Sequence, residues 1–268
     1  MVAEANYEKI VDIGSTQLHL RCAGHGTPTV VLDSGLGEGA ETWTKVQTQV
    51  AMFTRVVAYD RAGVGKSSPG PKPRTSRQMV GELRALLSAA QIAGPYVLVG
   101  HSLGGLNIQL YAIEHPDEVA GVVLADPSCP DMLARLAGVW GKFRVSLFTT
   151  LSTASHPEGT SKHDLEISLT QVAAAGQLPD VPLIVLSAGQ AVQLPKLLNA
   201  MFPGDRWLSA FQAGHAELVQ AAGKGQHRFV PNSTHATIPQ DDVVVDAIHQ
   251  IVEMVRCSER SARKHNAP

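Results

Sequence analysis

The sequence predicts an α/β fold built on a mainly parallel β-sheet that is flanked by helices. Short apolar runs alternate with segments of helical periodicity along most of the 268 residues, as expected when strands of a parallel sheet are connected by helices. The runs are apolar at successive positions, which is typical of strands buried on both faces. A hydrophobic content of 44% with 17% charged residues provides a large core, and no linker divides the chain. We therefore expect one large domain.

The strands and helices follow in chain order. Two alternating runs at residues 9–13 and 17–22, joined at Gly14-Ser15, predict an opening β-hairpin. The remaining strands are predicted at residues 29–33, 55–60, 96–100, 121–126, 182–187 and 228–231. Helices are predicted between them at residues 41–52, 76–90, 102–115 and 207–219.

The C-terminal segment divides into a helix and a tail. The last helix is predicted at residues 241–255, with acidic residues at its start and Arg256 at its end, as the helix dipole favours. Residues 258–268 are polar and predict a flexible tail.

A long interval between the strands that end at Asp126 and begin at Pro182 interrupts the alternation. Ligands of open α/β sheets bind beyond the carboxyl ends of the strands, so an insertion at such an end lies over the site. We interpret residues 129–179 as a small helical cap inserted in a core of residues 1–128 and 180–257. Its aromatic residues Trp140, Phe143 and Phe148 are candidates for lining a substrate pocket. The alternative is a helical segment that packs on the edge of the sheet.

The segment Gly100-His101-Ser102-Leu103-Gly104-Gly105 follows an apolar strand and precedes a helical pattern. This context predicts a nucleophile elbow, a sharp turn that holds its serine in a strained conformation above the end of the sheet. Gly100 and Gly104 are small because the residues two before and two after the serine pack against each other. Ser102 is therefore the candidate nucleophile for acyl chemistry, and an ordinary structural turn is the alternative.

A serine hydroxyl needs an imidazole within hydrogen-bond reach and a third group that orients the imidazole. Among the eleven histidines, His235 lies in the loop after the last strand, at the end of the sheet to which Ser102 points. It is the predicted base. His215 lies within a helical pattern, and His227 is expected at the opposite end of the last strand. The side chain of His101 is expected to point away from that of Ser102.

Two carboxylates are candidates for the third group. Asp126 ends the strand at residues 121–126 and so lies on the rim of the sheet, where we assign it the role of orienting His235. The alternative for Asp126 is a structural cap of the turn Asp126-Pro127-Ser128. Asp205, before the helix at residues 207–219, is the second candidate acid, because the strand at residues 182–187 continues without a carboxylate.

An oxyanion formed at Ser102 requires two N–H donors. The backbone N–H of Leu103 is one by its position at the start of the helix. The second is predicted to be the backbone N–H of Leu36 in the loop Ser34-Gly35-Leu36-Gly37, where glycines allow the backbone to approach a substrate closely.

These segments together resemble the serine-nucleophile branch of the α/β-hydrolase family. Gly100-His101-Ser102-Leu103-Gly104-Gly105 is similar to its elbow, and Ser34-Gly35-Leu36-Gly37 resembles its His-Gly-x oxyanion loop with serine in place of histidine. Tyr59-Asp60-Arg61-Ala62-Gly63-Val64-Gly65-Lys66-Ser67 resembles its D-x-x-G-x-G-x-S segment. The resemblance spans essentially the whole domain. In a subset of the family the acid lies one strand before the usual penultimate strand, and Asp126 fits that subset.

The resemblance implies a hydrolase that needs no cofactor, and the sequence shows no candidate metal ligands. We expect a carboxylic ester or lactone of a hydrophobic small molecule to be cleaved through an acyl-enzyme. Carbon-carbon bond hydrolases, aminopeptidases and cofactor-free haloperoxidases share the fold and remain alternatives, as does a receptor-like protein with little turnover. Dehalogenases and epoxide hydrolases of this fold use aspartate at the position of Ser102, so the resemblance disfavours those activities.

A nucleotide-binding enzyme is a weaker alternative. Gly35-Leu36-Gly37-Glu38-Gly39-Ala40 fits G-x-G-x-x-A, and Asp60 follows at a later strand end. However, the motif follows the third strand and does not open the fold. The hypothesis of a nucleotide-binding enzyme also leaves Ser102 and His235 unexplained. Gly65-Lys66-Ser67 suggests a phosphate-binding loop, but the required earlier glycine is replaced by Asp60.

Composition excludes several classes of partner. The net charge of -2, with basic residues scattered along the chain, favours neither nucleic acid nor an anionic membrane. The three cysteines lie far apart and lack the spacing of zinc ligands or of a disulfide framework. No apolar segment reaches the roughly 18 residues of a membrane span. We expect a cytoplasmic protein that acts on a small molecule.

Overall fold

The computed structural model describes residues 6–154 and 156–265, with side chains described as far as residue 262. Within these residues, eight strands form one sheet in the order β1-β2-β4-β3-β5-β6-β7-β8. The strands are β1 Tyr7–Asp12, β2 Gln17–Ala23, β3 Thr29–Asp33, β4 Val56–Tyr59, β5 Tyr96–His101, β6 Val119–Ala125, β7 Leu183–Gln190 and β8 Gly225–Thr234. β1 and β2 form the antiparallel hairpin, β2 pairs antiparallel with β4, and all other pairs are parallel. The fold class predicted from the sequence is confirmed.

Helices cover both faces of the sheet. They are α1 Thr44–Val50, α2 Ser76–Ala89, α3 Leu103–Glu114, α4 Met132–Trp140, α5 Lys142–Ala154, α6 Lys162–Ala175, α7 Lys196–Met201, α8 Gly204–Ala222 and α9 Asp242–His265. Alternate residues of β5 enter different cores: Leu98 packs with α2, α3 and α6, whereas Val97 and Val99 pack with α1 and α9. This two-sided burial explains why the strands are apolar at successive positions.

The interval between β6 and β7 contains α4, α5 and α6, and these helices differ in what they cover. Leu136 and Trp140 of α4 join Val145 of α5 and Phe211 of α8 in a third apolar cluster beyond the sheet. Leu169 of α6 belongs instead to the core on the α2 and α3 face of the sheet. In the predicted cap of residues 129–179, α4 and α5 lie beyond the sheet, whereas α6 packs on it. The boundaries of the cap remain a prediction.

The predicted tail at residues 258–268 is wrong over most of its length, because α9 continues to His265. The ion pair of Arg260 with Glu253, 3.8 Å apart, joins this extension to the preceding turns of the helix. Residues 257–262 are mostly exposed, in agreement with their polar composition. Residues 266–268 lie outside the described residues.

Candidate active site

The turn at Ser102 has the strained geometry that the sequence predicts. Ser102 stands between β5 and α3 with φ 52° and ψ −117°, in a region that non-glycine residues rarely occupy. A Cβ atom on Gly100 would lie 2.6 Å from the carbonyl oxygen of Gly104, and one on Gly104 would lie 2.3 Å from that of Asp33. Only glycine fits at these two positions, so the turn can close tightly and present the Ser102 side chain at the carboxyl edge of the sheet.

The structure brings Ser102, His235 and Asp126 together in one hydrogen-bonded chain. His235 Nδ1 lies 2.6 Å from Asp126 Oδ2, and His235 Nε2 lies 3.1 Å from Ser102 Oγ. Because an ionised carboxylate only accepts hydrogen bonds, Nδ1 carries the proton in the neutral ring. Nε2 is then free to accept the proton of the Ser102 hydroxyl.

Asp126 lies where β6 ends, as the apolar run predicted. Its amide N donates to the carbonyl of Leu186, and its Oδ1 accepts from the amide N of Ala188, 2.8 Å away. Burial by itself would raise the pKa of Asp126, but the hydrogen bond from His235 and the charges of nearby imidazoles outweigh it and lower the pKa to about 2. The carboxylate is therefore ionised at neutral pH.

Asp205, the second candidate acid, does not reach this chain. It lies in the first turn of α8 with an exposed side chain, and in the described part of the protein that side chain forms no hydrogen bond or ion pair. Trp207 and Phe211, further along α8, present their rings to His235 at centroid distances of 5.4 and 5.7 Å. The face of α8 that carries these rings turns toward the site, whereas Asp205 occupies the solvent side.

The two predicted oxyanion donors lie beside Ser102. Leu36 and Leu103 line the same cavity as Ser102. Leu103 is the first residue of α3, where the N–H has no partner within the helix. Within residues 6–154 and 156–265, the N–H of Leu36 also forms no hydrogen bond, although its neighbour Gly37 donates to Glu158. Both amides are thus available to a ligand.

A cavity of about 250 Å³ opens onto Ser102 and His235. Its walls are mainly apolar and come from helices α4, α5, α6 and α8, with Met132, Leu133, Leu136, Phe148, Leu165 and Phe211 among the lining residues. Sites of this kind, apolar with a few convergent polar groups, are typical of small-molecule binding.

Of the three aromatic residues predicted to line the pocket, only Phe148 does so. Phe143 is 80% exposed and faces solvent, so that assignment is wrong. Trp140 is buried behind the wall, where its ring packs against Phe148 and Phe202 at 5.3 and 5.4 Å. The rotation of α5 about its axis decides which residues face inward, and the apolar pattern does not fix that rotation.

Sequence reasoning missed the part that two other histidines play in supporting the site. His101 Nε2 donates to the carbonyl oxygen of His235 at 2.9 Å, which ties the elbow to the loop that carries the imidazole. His215 is fully buried, and its Nε2 donates to the carbonyl of Pro127 at 2.8 Å. Burial lowers the pKa of both rings. A histidine within a helical pattern carries no sequence signal of such a role.

Ser187 links His215 to His227. Its Oγ lies 2.7 Å from His215 Nδ1 and 2.7 Å from His227 Nε2. The sequence predicts His227 at the end of the last strand opposite to Ser102. β8 begins at Gly225, earlier than predicted, so His227 lies inside the strand and not before it.

The described residues support neither a metal site nor a membrane-spanning helix. They contain no group of three or more His, Cys, Asp or Glu side chains arranged to hold a metal ion. Within the same ranges, no helix has the length and apolarity that crossing a bilayer requires.

Comparison with known proteins points to one family. A family model described as alpha/beta hydrolase fold matches residues 28–155, which include the loop of Leu36 and the elbow of Ser102. The chain is 31% identical over 178 residues to the uncharacterized protein YqjL of Bacillus subtilis (strain 168), covering 63% of this chain and 65% of that protein. The chain matches less than two thirds of the length of the curated relatives.

Solved structures extend the similarity over nearly the whole chain. The enol-lactonase from Burkholderia xenovorans LB400 superimposes with a TM-score of 0.65 at 20% identity, covering 91% of this chain and 100% of that one. A thermophilic esterase from Thermogutta terrifontis gives a TM-score of 0.61 at 18% identity, with 93% and 99% covered. At these identities the likeness establishes the fold alone.

Proposed function

Because this chain belongs to the α/β-hydrolase fold family, we propose that it is a serine hydrolase that cleaves a carboxylic ester or lactone of a hydrophobic small molecule. The observation that carries the proposal is the hydrogen-bonded chain from Asp126 through His235 to Ser102. This arrangement supplies a nucleophile, a base and a group that orients the base, which is the minimum that acyl transfer by serine requires. No cofactor enters the proposed reaction.

The proposed reaction has two steps. Ser102 Oγ attacks the acyl carbon while His235 Nε2 takes the hydroxyl proton, and the N–H groups of Leu36 and Leu103 stabilise the oxyanion. When the tetrahedral intermediate collapses, His235 gives the proton to the leaving alcohol oxygen and an acyl-enzyme remains. Water then attacks the acyl carbon with His235 again acting as the base, and the acid product leaves as Ser102 regains its proton.

The lining of the cavity supports a small and largely apolar substrate. Leu133, Leu136 and Phe148 contribute hydrophobic wall close to Ser102, and contact with these side chains favours an apolar acyl or alcohol group. A lactone fits the same chemistry, because its alcohol oxygen leaves the acyl carbon but stays within the opened ring product.

A panel of chromogenic esters, graded by acyl length, and of simple lactones tests this proposal. We expect hydrolysis that rises with acyl length and then falls once the chain exceeds the cavity of about 250 Å³. We also expect a fluorophosphonate to label one serine, Ser102, in proportion to the loss of activity. Absence of both labelling and hydrolysis contradicts the proposal. Stoichiometric labelling without hydrolysis of any ester or lactone contradicts the proposed substrate class.

The length preference is expected to depend on Phe148. Removing its ring in Phe148→Ala enlarges the cavity next to Ser102, so the acyl length with the highest kcat/KM should increase. The discrimination between acyl lengths should change by roughly 10-fold for each methylene group accommodated. Phe143→Ala is the matched control, because it removes the same side chain from the solvent-facing side of α5. The same shift in both variants, or in neither, contradicts this assignment of the pocket wall.

A further inference from the structure

A buried ionic cluster lies beneath the loop that carries Leu36. Arg61 is 2% exposed, and its guanidinium is enclosed by two carboxylates and two carbonyls. Nη1 donates to Asp33 Oδ1 at 2.5 Å and to the carbonyl of Ser34 at 2.6 Å. Nη2 donates to the carbonyl of Gly35 at 2.5 Å. Arg61 therefore contacts the loop of residues 34–37 through backbone carbonyl oxygens, and its bond to Asp33 is made to a side chain at the end of β3.

The bond to Gly35 has a direct effect on Leu36. The carbonyl of Gly35 and the N–H of Leu36 belong to one planar peptide unit and point in opposite directions. Arg61 holds the carbonyl end of this unit, so it also fixes the direction of the N–H at the other end. Leu36 lines the cavity in front of Ser102, and this N–H forms no hydrogen bond in the parts of the chain that the structure describes.

Glu158 completes the cluster from a distant part of the chain. It lies in the loop between α5 and α6, and its side chain is 0% exposed. Oε1 accepts from Arg61 Nε at 2.6 Å, and Oε2 accepts from Arg61 Nη2 at 3.0 Å. The same Oε2 accepts from the N–H of Gly37 at 3.0 Å. Glu158 therefore contacts both the guanidinium and the peptide unit that follows Leu36.

The cluster is rigid for two physical reasons. A bidentate carboxylate–guanidinium pair fixes both orientation and distance, and burial excludes water that would otherwise compete for the same groups. Burial tends to raise the pKa of Glu158, but the charge of Arg61 outweighs it and lowers that pKa, so the carboxylate stays ionised. The 156–158 segment is also packed closely on the loop, since a Cβ on Gly37 would lie 2.2 Å from His156 Nδ1.

We propose that Arg61 and Glu158 are positioning residues that aim the N–H of Leu36 at the oxyanion. This inference rests on the proposed hydrolase function, because it assigns Leu36 as a donor in that reaction. It further implies that the loop between α5 and α6 contributes to catalysis through a buried contact with the Gly35–Gly37 backbone, without touching the substrate. Docking of that loop and formation of the oxyanion site are then coupled.

Glu158→Gln is the test, with Glu82→Gln as the matched control. The Gln variant preserves shape and one acceptor but removes the charge that holds Arg61. Glu82 forms an equally buried pair with Arg74, at 2.5 Å with side chains 1% and 4% exposed, but does not contact the Leu36 loop. Both variants lose one buried carboxylate, so their losses of thermal stability should be comparable.

We expect Glu158→Gln to lower kcat per phosphonate-titrated site by roughly 10- to 100-fold and to change KM little. Removing an oxyanion donor outright lowers kcat by roughly 10²- to 10³-fold, and a misdirected donor should cost less. The affinity for a boronic acid that mimics the tetrahedral intermediate should fall by the same factor. Glu82→Gln should keep wild-type kcat per titrated site and wild-type boronate affinity. Glu158→Asp, which keeps the charge but is shorter, should give an intermediate loss.

Equal kcat and equal boronate affinity in Glu158→Gln and the wild type overturn the inference and leave the proposed function intact. If the wild type neither hydrolyses esters nor reacts with the phosphonate, the proposed function fails, and hydrogen exchange of the peptide at residues 33–38 still tests the positioning. Faster exchange of this peptide in Glu158→Gln but not in Glu82→Gln supports the clamp on the loop. Unchanged exchange contradicts it.

Discussion

Replacing Ser102 with alanine is expected to lower kcat on a good ester substrate by about 10⁶-fold, as removal of the nucleophile does in measured triads. The alanine side chain cannot form the acyl-enzyme, and His235 Nε2 loses the hydroxyl that lies 3.1 Å away. The cavity and the donors of Leu36 and Leu103 are unchanged, so the residual rate reports binding and oxyanion stabilisation alone. Steady-state kinetics with active-site titration of the wild type measure the ratio.

Two properties of the variant separate loss of chemistry from loss of structure. Alanine at φ 52° meets the same backbone strain as serine, so Ser102→Ala should unfold at nearly the wild-type denaturant concentration. Ser102→Gly removes that strain and should raise the free energy of unfolding by about 1 kcal/mol while also abolishing hydrolysis. Activity in Ser102→Ala within 10²-fold of the wild type would show that another group is the nucleophile.

Replacing Asp126 with asparagine is expected to lower kcat by about 10⁴-fold, because the amide favours the wrong tautomer of the imidazole. The carboxylate oxygen that accepts from His235 Nδ1 at 2.6 Å would become part of a neutral group, and the imidazolium formed during attack would lose its counter-charge. Asp205→Asn is the control and should keep wild-type rates, since that side chain is exposed in the first turn of α8. The opposite ranking of the two variants contradicts the assignment of Asp126.

The same carboxylate is expected to link folding to pH. Its pKa of about 2 in the folded protein lies below the usual 3.8, so the unfolded chain takes up this proton more readily. The contribution of the carboxylate to stability, about 2 kcal/mol, is fully present at pH values above the usual pKa and is lost as the pH falls toward 2. Urea unfolding at several pH values should show the gap between wild type and Asp126→Asn narrowing over this acidic range.

Much of the site was predictable because strand ends determine its geometry. Ser102, Asp126 and His235 each follow an apolar run, and the parallel ladders bring the ends of β5, β6 and β8 to one edge of the sheet. The elbow glycines were predictable because the turn leaves no room for a Cβ atom. These features depend on local sequence and on the direction of the strands, and both can be read from the sequence.

Features that depend on contacts between distant side chains were not predictable. The bond between Arg61 and Glu158 joins residues 97 positions apart, and the local sequence of neither residue indicates the other as its partner. Phe143 and Phe148 are both aromatic residues of α5, yet one is exposed and the other lines the cavity. Their difference arises from how α5 packs on α4 and α8, which no apolar pattern specifies. The extension of α9 was missed because its polar residues resemble a tail.

In the proposed reaction Asp126, at the end of β6, orients His235, so the segment after β7 takes no part in proton transfer. Within that segment, α7 is exposed along its whole length, while α8 beyond it closes the cavity with Trp207 and Phe211. Residues 195–198 are exposed and carry none of the proposed reactive groups, so length and composition can vary there without disturbing those groups. Insertions in this stretch can therefore change access to the pocket, while the proposed reactive residues stay at the ends of other strands of the sheet.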